Sequence, residues 1–358
     1  MSDPGSALTD RPTPHLVVDA DVLAGNVAAM ASYAAQHGLL LRPHAKTHKS
    51  ADVARLQLEA GAAGLTVATV SEAEVFADAG CRDLFVAYPL WVDATRGARV
   101  RALTERVVLS VGIDSVEGAR ALAAHAPGTA VLVEVDSGHH RSGVPPTQAG
   151  ETAEGAARAG LDVRGVFTFP GHSYAPGVAA EVAAQESDAL RTAAGSLSRH
   201  GIEPAVVSGG STPSVAAADS DVLTELRPGV YVFGDAQQWE LGTTEPRDVA
   251  LTCLATVVSH AGGHVVLDSG SKVLGADRPA WTTGHGRLLD HPAARITVLS
   301  EHHAVVDWGD PPLPQLGSRV RVVPNHVCTA VNLADELVVV RGAATVDVWP
   351  VTARGANT

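Results

Sequence analysis

Apolar and polar positions alternate along this chain in two textures. From His15 to about Phe233, short apolar runs rich in β-branched residues alternate with longer stretches of helical periodicity, the pattern of βα units that feed a parallel sheet. The expected strands are HLVVDA from His15, LLLRPHA from Leu39, GLTVAT from Gly64, LFVAYPL from Leu84, VVLSVGI from Val107, AVLVEVD from Ala130, VRGVFTF from Val163 and AVVSGG from Ala205. Eight strands are what closes a barrel. The helical stretches begin on capping residues, as in Ser71-Glu-Ala-Glu, and stop at Gly38, Gly61, Gly80, Gly160 and Gly201. This punctuation fits an α/β fold with a (β/α)8 barrel of about 220 to 250 residues, and an open doubly wound sheet is the alternative reading of the same pattern.

After about Arg247 the texture changes. In LTCLATVVSHAGGHVVLDSG the runs alternate, and Ala261-Gly-Gly marks a hairpin; RITVLS, SRVRVVPNH and ELVVVRGAATVDVWP continue in the same way. The chain is therefore expected to form a barrel over 13–240 and an antiparallel β-domain over 241–358, with 1–12 as a segment that could join the β-domain. No low-complexity linker separates them, so the two are expected to pack around a shared site.

Composition narrows the function. With 358 residues, 46% of them hydrophobic, the chain can bury one large core and a second smaller one. The 26 basic against 39 acidic residues give a net charge of -13, which repels a phosphate backbone and argues against nucleic acid as a partner. No apolar run approaches the roughly 18 residues of a membrane span, and the first residues lack a secretory pattern. A cytoplasmic enzyme is expected. Cys81, Cys253 and Cys328 are too few and too scattered for a disulfide framework.

The candidate chemistry starts at Lys46, in RPHAKTHKS, which follows an apolar strand and so stands at the C-terminal rim where barrel enzymes keep their reacting groups. Arg42, His44 and His48 surround it with groups able to lower an amine pKa. The motif RPHAKTHKS, followed in order by EVDSGHHRSGV, FPGHSYA, SGGSTPS, ELRPGVYVFGD and PNHVCTAVNL, resembles the D-serine dehydratase and D-threonine aldolase family, over nearly the whole chain.

That resemblance implies an alanine-racemase-like fold (PLP fold type III) and pyridoxal phosphate held by Lys46 through an aldimine. It further implies that Arg141 points at the cofactor's phenolic oxygen, an ion pair with Asp136 being the alternative for that arginine. His172 and Tyr174 would stand beside the pyridine ring, with Arg227 as the rival partner of its nitrogen. Gly229 and Val230 would give backbone contacts to the phosphate. In Ser208-Gly-Gly-Ser-Thr, glycine and hydroxyl residues would let Gly210, Ser211 and Thr212 approach the same phosphate closely. His326 and Cys328, two apart on an expected strand, would project to one face and grip an ion. A thiolate and an imidazole suit zinc, whereas the oxygen ligand more usual in the aldolases suits manganese or magnesium.

The expected activity is a lyase acting on D-β-hydroxy amino acids, most of all D-serine dehydration to pyruvate and ammonia. D-threonine aldolase is the alternative, and an amino-acid racemase or a non-catalytic cofactor carrier stands behind both. A homodimer follows from the resemblance. The chain departs from the family's usual Glu-Glu-His-Gly at Glu301-His-His-Ala304, where His303 is also readable as a surface residue.

Overall fold

β1 (His15–Asp19) has a buried apolar centre, but it does not lie in the barrel. In this computed structural model, which describes residues 11–309 and 312–358, β1 pairs antiparallel with β10 (Leu251–Ser259) and parallel with β16 (Glu336–Arg341). A short apolar strand followed by helix α1 (Ala20–Gln36) looks like a βα unit whichever sheet takes it, so periodicity alone misplaces it. Expectations for residues 1–10 lie outside the described residues.

The parallel sheet runs β2 (Leu40–Leu41), β9 (Glu225–Leu226), β8 (Val206–Gly209), β7 (Asp162–Phe167), β6 (Ala130–Glu134), β5 (Val108–Ile113), β4 (Asp83–Pro89) and β3 (Leu65–Val67). Its eighth strand is thus β9, a two-residue piece inside ELRPG that is too short to show a period. A bridge between His44 and Thr66, with the Thr66 N–H donating to the Pro43 carbonyl at 2.9 Å, joins β2 to β3 and completes the ring. Helices α2 (Ala51–Glu59), α3 (Val70–Asp78), α4 (Ala94–Thr104), α5 (Val116–His125), α6 (Ala149–Arg158) and α7 (Ala179–Arg199) follow the strands in turn.

Local chemistry sets the helix ends. Gly38, Gly61, Gly80, Gly160 and Gly201 all take positive φ just past a helix, as expected. The capping box of α3 lies two residues earlier than Ser71. Thr69 is the N-cap and accepts from the Glu72 N–H at 3.0 Å, while the Glu72 carboxylate accepts from the Ala68 N–H at 2.7 Å. Inside the ring, Phe85 and Phe167 meet edge to face at 4.9 Å and pack with Leu132. Burying each phenyl ring stabilises the fold by roughly 1.5–3 kcal/mol.

The second sheet is antiparallel except for the β1–β16 pair. β11 (Val265–Leu267), β14 (Ala304–Asp307), β13 (His291–Leu299), β12 (Gly286–Leu288), β15 (Arg319–Pro324) and β10 succeed one another, and β10 pairs again with β11, which closes a six-stranded barrel. β10 shares one edge between two partners: its first half pairs with β1 and its second half with β11. β16 and β17 (Ala344–Pro350) extend the sheet beyond β1. The hairpin expected at Ala261-Gly-Gly joins β10 to β11. By internal packing, residues 30–46, 54–229 and 356–358 form one unit and residues 11–29, 47–53 and 230–355 the other.

Candidate active site

Within the parallel unit, a cavity of about 510 Å³ opens among the C-terminal ends of strands β2 to β9 and the segments that follow them. Lys46, in the single 3-10 turn Ala45–Thr47 after β2, lines it together with His44, Asp114, Arg141, Gly210 and Arg227. Arg42 does not join them. Its guanidinium pairs with both oxygens of Asp83, at 2.6 and 3.0 Å, and with Glu225 at 2.7 Å. Its charge is therefore spent on the barrel wall. His48 is buried in the other unit, where its Nδ1 accepts from the Ser50 N–H at 3.1 Å.

From Arg42 a chain of hydrogen bonds runs through the barrel to Arg227, which lines the cavity. Glu225 takes Arg42 on one oxygen and the Ser208 hydroxyl on the other, at 2.6 Å. Ser208 in turn accepts from Arg227 at 2.5 Å, and the second Arg227 nitrogen donates to the Thr168 carbonyl. The Arg227 guanidinium also lies over the Phe85 and Phe167 rings, at 5.7 and 5.3 Å. Burial lowers its pKa, against the charges of Glu225, Glu186 and Glu134.

The Phe169 ring carries two cations, Lys46 Nζ at 5.4 Å from its centroid and the Arg141 guanidinium at 5.1 Å. Asp136 is committed elsewhere: it accepts from the N–H groups of Gly138 and His140 and pairs with His140 Nδ1 at 2.7 Å. Tyr174 ends the turn Gly171–Ser173 with its ring 6.2 Å from Phe169. In the same turn His172 stacks on His139 at 6.4 Å and 12°, and its Nε2 donates to Gln185 Oε1 at 2.9 Å. Gly171 makes that stack feasible, since a Cβ there would stand 2.6 Å from His139 Nε2.

Around the glycine turn after β8, Ser211 is buried and its hydroxyl bonds those of Ser173 and Ser214, each at 2.8 Å. The Gly210 N–H already donates to the Glu186 carboxylate at 2.7 Å. Thr212 is buried beside them, and Gly229 is half-buried. Val230 belongs to the other unit, where it opens the turn Val230–Val232.

The His326–Cys328 pair lies in that second unit, and not on a strand. β15 ends at Pro324, and Val327–Leu333 forms a short helix with His326 as its N-cap residue. Two residues along a strand would share a face; here a change from extended to helical backbone brings the side chains within hydrogen-bond reach of each other instead. Asp235 causes the turn. Fully buried, it accepts from the Val327 N–H and from His326 Nδ1 through one oxygen, both at 3.1 Å, and through the other caps helix α8 (Ala236–Leu241) at the Gln238 N–H, at 2.8 Å. Burial works against an imidazolium at His326, but Cys328 and Asp235 outweigh it and hold the pKa above the ordinary histidine value. The Cys328 thiol also donates to Thr47 Oγ1 at 3.4 Å. Among the described residues no group of three His, Cys, Asp or Glu gathers in metal-binding proximity.

Sequence reasoning passed over Phe169, Glu186 and Asp235. Phe169 and Asp235 stand inside quoted motifs without a role, and Asp235 carries one readable signal, an aspartate at N-cap spacing before Ala236-Gln-Gln.

Comparison with known proteins gives two domain matches, an alanine racemase N-terminal domain over residues 18–237 and a putative serine dehydratase domain over 250–340. The chain is 35% identical to D-threo-3-hydroxyaspartate dehydratase of Delftia sp. (strain HT23), over 88% of this chain and 90% of that one. It superposes on the crystal structure of D-threonine aldolase from Filomicrobium marinum with a TM-score of 0.90 at 32% identity, covering 100% of both chains. A cysteine-to-alanine mutant of D-threo-3-hydroxyaspartate dehydratase, solved in its metal-free form, gives a TM-score of 0.89 at 32% identity, over 96% of this chain and 98% of that one. No helix among the described residues is long and apolar enough to cross a membrane.

Proposed function

Because the chain belongs to the family of lyases that includes D-threo-3-hydroxyaspartate dehydratase and D-threonine aldolase, we propose that it dehydrates a D-β-hydroxy amino acid, with D-serine as substrate and pyruvate and ammonia as products. The observation that carries the reading is the pairing of Cys328 with His326 and the buried Asp235, a soft donor set oriented by a carboxylate. A relative whose cysteine variant was solved metal-free is itself a dehydratase, which supports dehydration over aldol cleavage.

The residues fit both expected groups. For pyridoxal phosphate, the cavity offers an amine, two guanidinium groups and a glycine turn in which Gly210 takes a φ of +80°, a conformation that side chains rarely adopt. For zinc, two protein donors leave coordination positions open to substrate and water. When bound, the cofactor acidifies the substrate's α-proton, and the metal makes the β-hydroxyl a better leaving group.

Lys46 would hold the cofactor through its Nζ, and the same amine would serve as the base that takes the substrate's α-proton. Arg141, steadied over Phe169, would donate to the cofactor's phenolic oxygen. Tyr174, with His172 beside it, would face the ring nitrogen, and Arg227, which already donates to Ser208 and the Thr168 carbonyl, remains the rival partner. Within the parallel unit, Ser211, Thr212 and Gly229 would hold the phosphate. A homodimer belongs to the same proposal, and sedimentation of the purified chain measures it.

The test is to incubate zinc-loaded protein with D-serine, D-threonine and D-threo-3-hydroxyaspartate, with L-isomers as controls, and to assay 2-oxo acid, ammonia and glycine. Oxo acid with ammonia bears the proposal out. Glycine without ammonia would replace it with the aldolase reading, which the full-length superposition on a D-threonine aldolase supports.

A further inference from the structure

Glu186, on α7, is 1% exposed, and no step above uses it. Its Oε1 accepts the Gly210 N–H at 2.7 Å. The neighbouring glycine answers to it as well, because a Cβ on Gly209 would stand 2.4 Å from the same oxygen and 3.1 Å from Glu186 Cδ. Gly210 itself takes a φ of +80°, a conformation that side chains rarely adopt. The pair Gly209-Gly210 is thus shaped from below by a carboxyl group, apart from any need of a ligand above it.

Burial pushes the Glu186 carboxyl up to about 7, against the Gly210 N–H and the Arg227 charge, which both favour ionisation. Arg227, from the segment after β9, is the charged group that faces it. On its own helix Glu181, Gln185 and Asp188 are exposed.

We infer that Glu186 is a positioning residue that holds the Gly209-Gly210 turn in the shape that receives the phosphate of the cofactor, and that it does so as the neutral acid. This rests on the cofactor reading above. A carboxylate on one side of the turn and a phosphate dianion on the other would repel each other across a low-dielectric wall, so binding the phosphate draws a proton onto Glu186. The sign follows. Phosphate affinity is at its full value below the carboxyl's pKa in the unliganded protein and declines as pH rises above it. Glutamine keeps the acceptor and the shape without the charge, whereas alanine removes both.

The experiment titrates the cofactor-stripped chain with pyridoxal phosphate, and in parallel with pyridoxal, which lacks the phosphate. Wild type, Glu186→Gln and Glu186→Ala are compared at about pH 6 and about pH 8.5, either side of the titrating range, by tryptophan quenching and by absorbance of the Lys46-bound species. Glu186→Ala is expected to lose about tenfold in pyridoxal phosphate affinity, the cost of an unmade buried hydrogen bond, with pyridoxal unchanged. Glu186→Gln should match wild type at the lower pH and bind pyridoxal phosphate at least about threefold tighter at the higher. Equal loss of both ligands in Glu186→Ala, or no loss of either, overturns the inference. So do superimposable pH profiles for wild type and Glu186→Gln, a comparison that decides the matter even where the alanine variant does not fold. A wild type that binds no pyridoxal phosphate sinks the cofactor reading itself.

Discussion

The hydrogen-bond network inside the parallel barrel and the His326–Cys328 pair are both built from polar groups, and they are supported in opposite ways. In the barrel, Asp83, Arg42, Glu225, Ser208 and Arg227 form a continuous network with the Thr168 carbonyl, each group bonded to the next. In the β-domain, His326 is held by the Asp235 carboxylate, which serves two helix ends and one imidazole at once, while Cys328 donates to Thr47. A network in which each charge satisfies its neighbour is part of the folding free energy. A donor pair held by few contacts, one to Asp235 and one to Thr47, is poised for something added later. Damage to the first should therefore register as lost stability, and damage to the second as lost metal and lost activity.

Arg227→Met tests the first half most severely. It strips the buried counter-charge from Glu225, Glu186 and Glu134 and leaves Ser208 without its donor. Unfolding should be easier by about 3–5 kcal/mol, measured by denaturant titration; a change under about 1 kcal/mol would break the contrast. Cys328→Ala tests the second half. Stability should move by less than about 1 kcal/mol and the cofactor absorbance near about 410–430 nm should persist. Zinc content and lyase rate should collapse together, the rate by about a hundredfold or more, and a mutant that turns over normally removes the metal role.

Asp235→Asn keeps a cap acceptor and removes the charge, so zinc affinity should weaken by about tenfold to a hundredfold in a competition titration while the fold persists. The smallest effect is on pH. Folded Glu186 holds its proton up to about 7, whereas the unfolded chain releases it in the ordinary carboxylate range, so this group costs stability progressively as pH rises between those values. Relative to Glu186→Gln, the wild-type melting temperature should fall by about 2 °C across that window and run parallel above it, which differential calorimetry at stepped pH would check.

These regions also differ in how far the sequence reveals them. Strands β2 to β8 and the glycine stops were legible because period and punctuation are local properties. β1 and β9 were not, since the sheet that a short strand joins depends on partners far along the chain. At PNHVC the apolar alternation suggested a strand, but the Asp235 carboxylate, distant in sequence, caps Val327 and turns the segment into a helix. Lys46, Arg141, Gly210 and Arg227 gather at one cavity because strand ends were readable. Arg42 seemed to belong with them until Asp83 and Glu225 claimed it, partners that no linear spacing could supply.

β1 carries a consequence for how the molecule is made. It precedes every other described strand during synthesis, yet its parallel partner β16 is among the last to appear, and its antiparallel partner β10 arrives only after the whole parallel barrel. Through most of elongation both edges of an apolar strand stay unpaired, a state open to aggregation and dependent on slow long-range closure. A nascent chain halted after β9 could complete its parallel ring while β1 waits, exposed, for a surface that has not yet been translated.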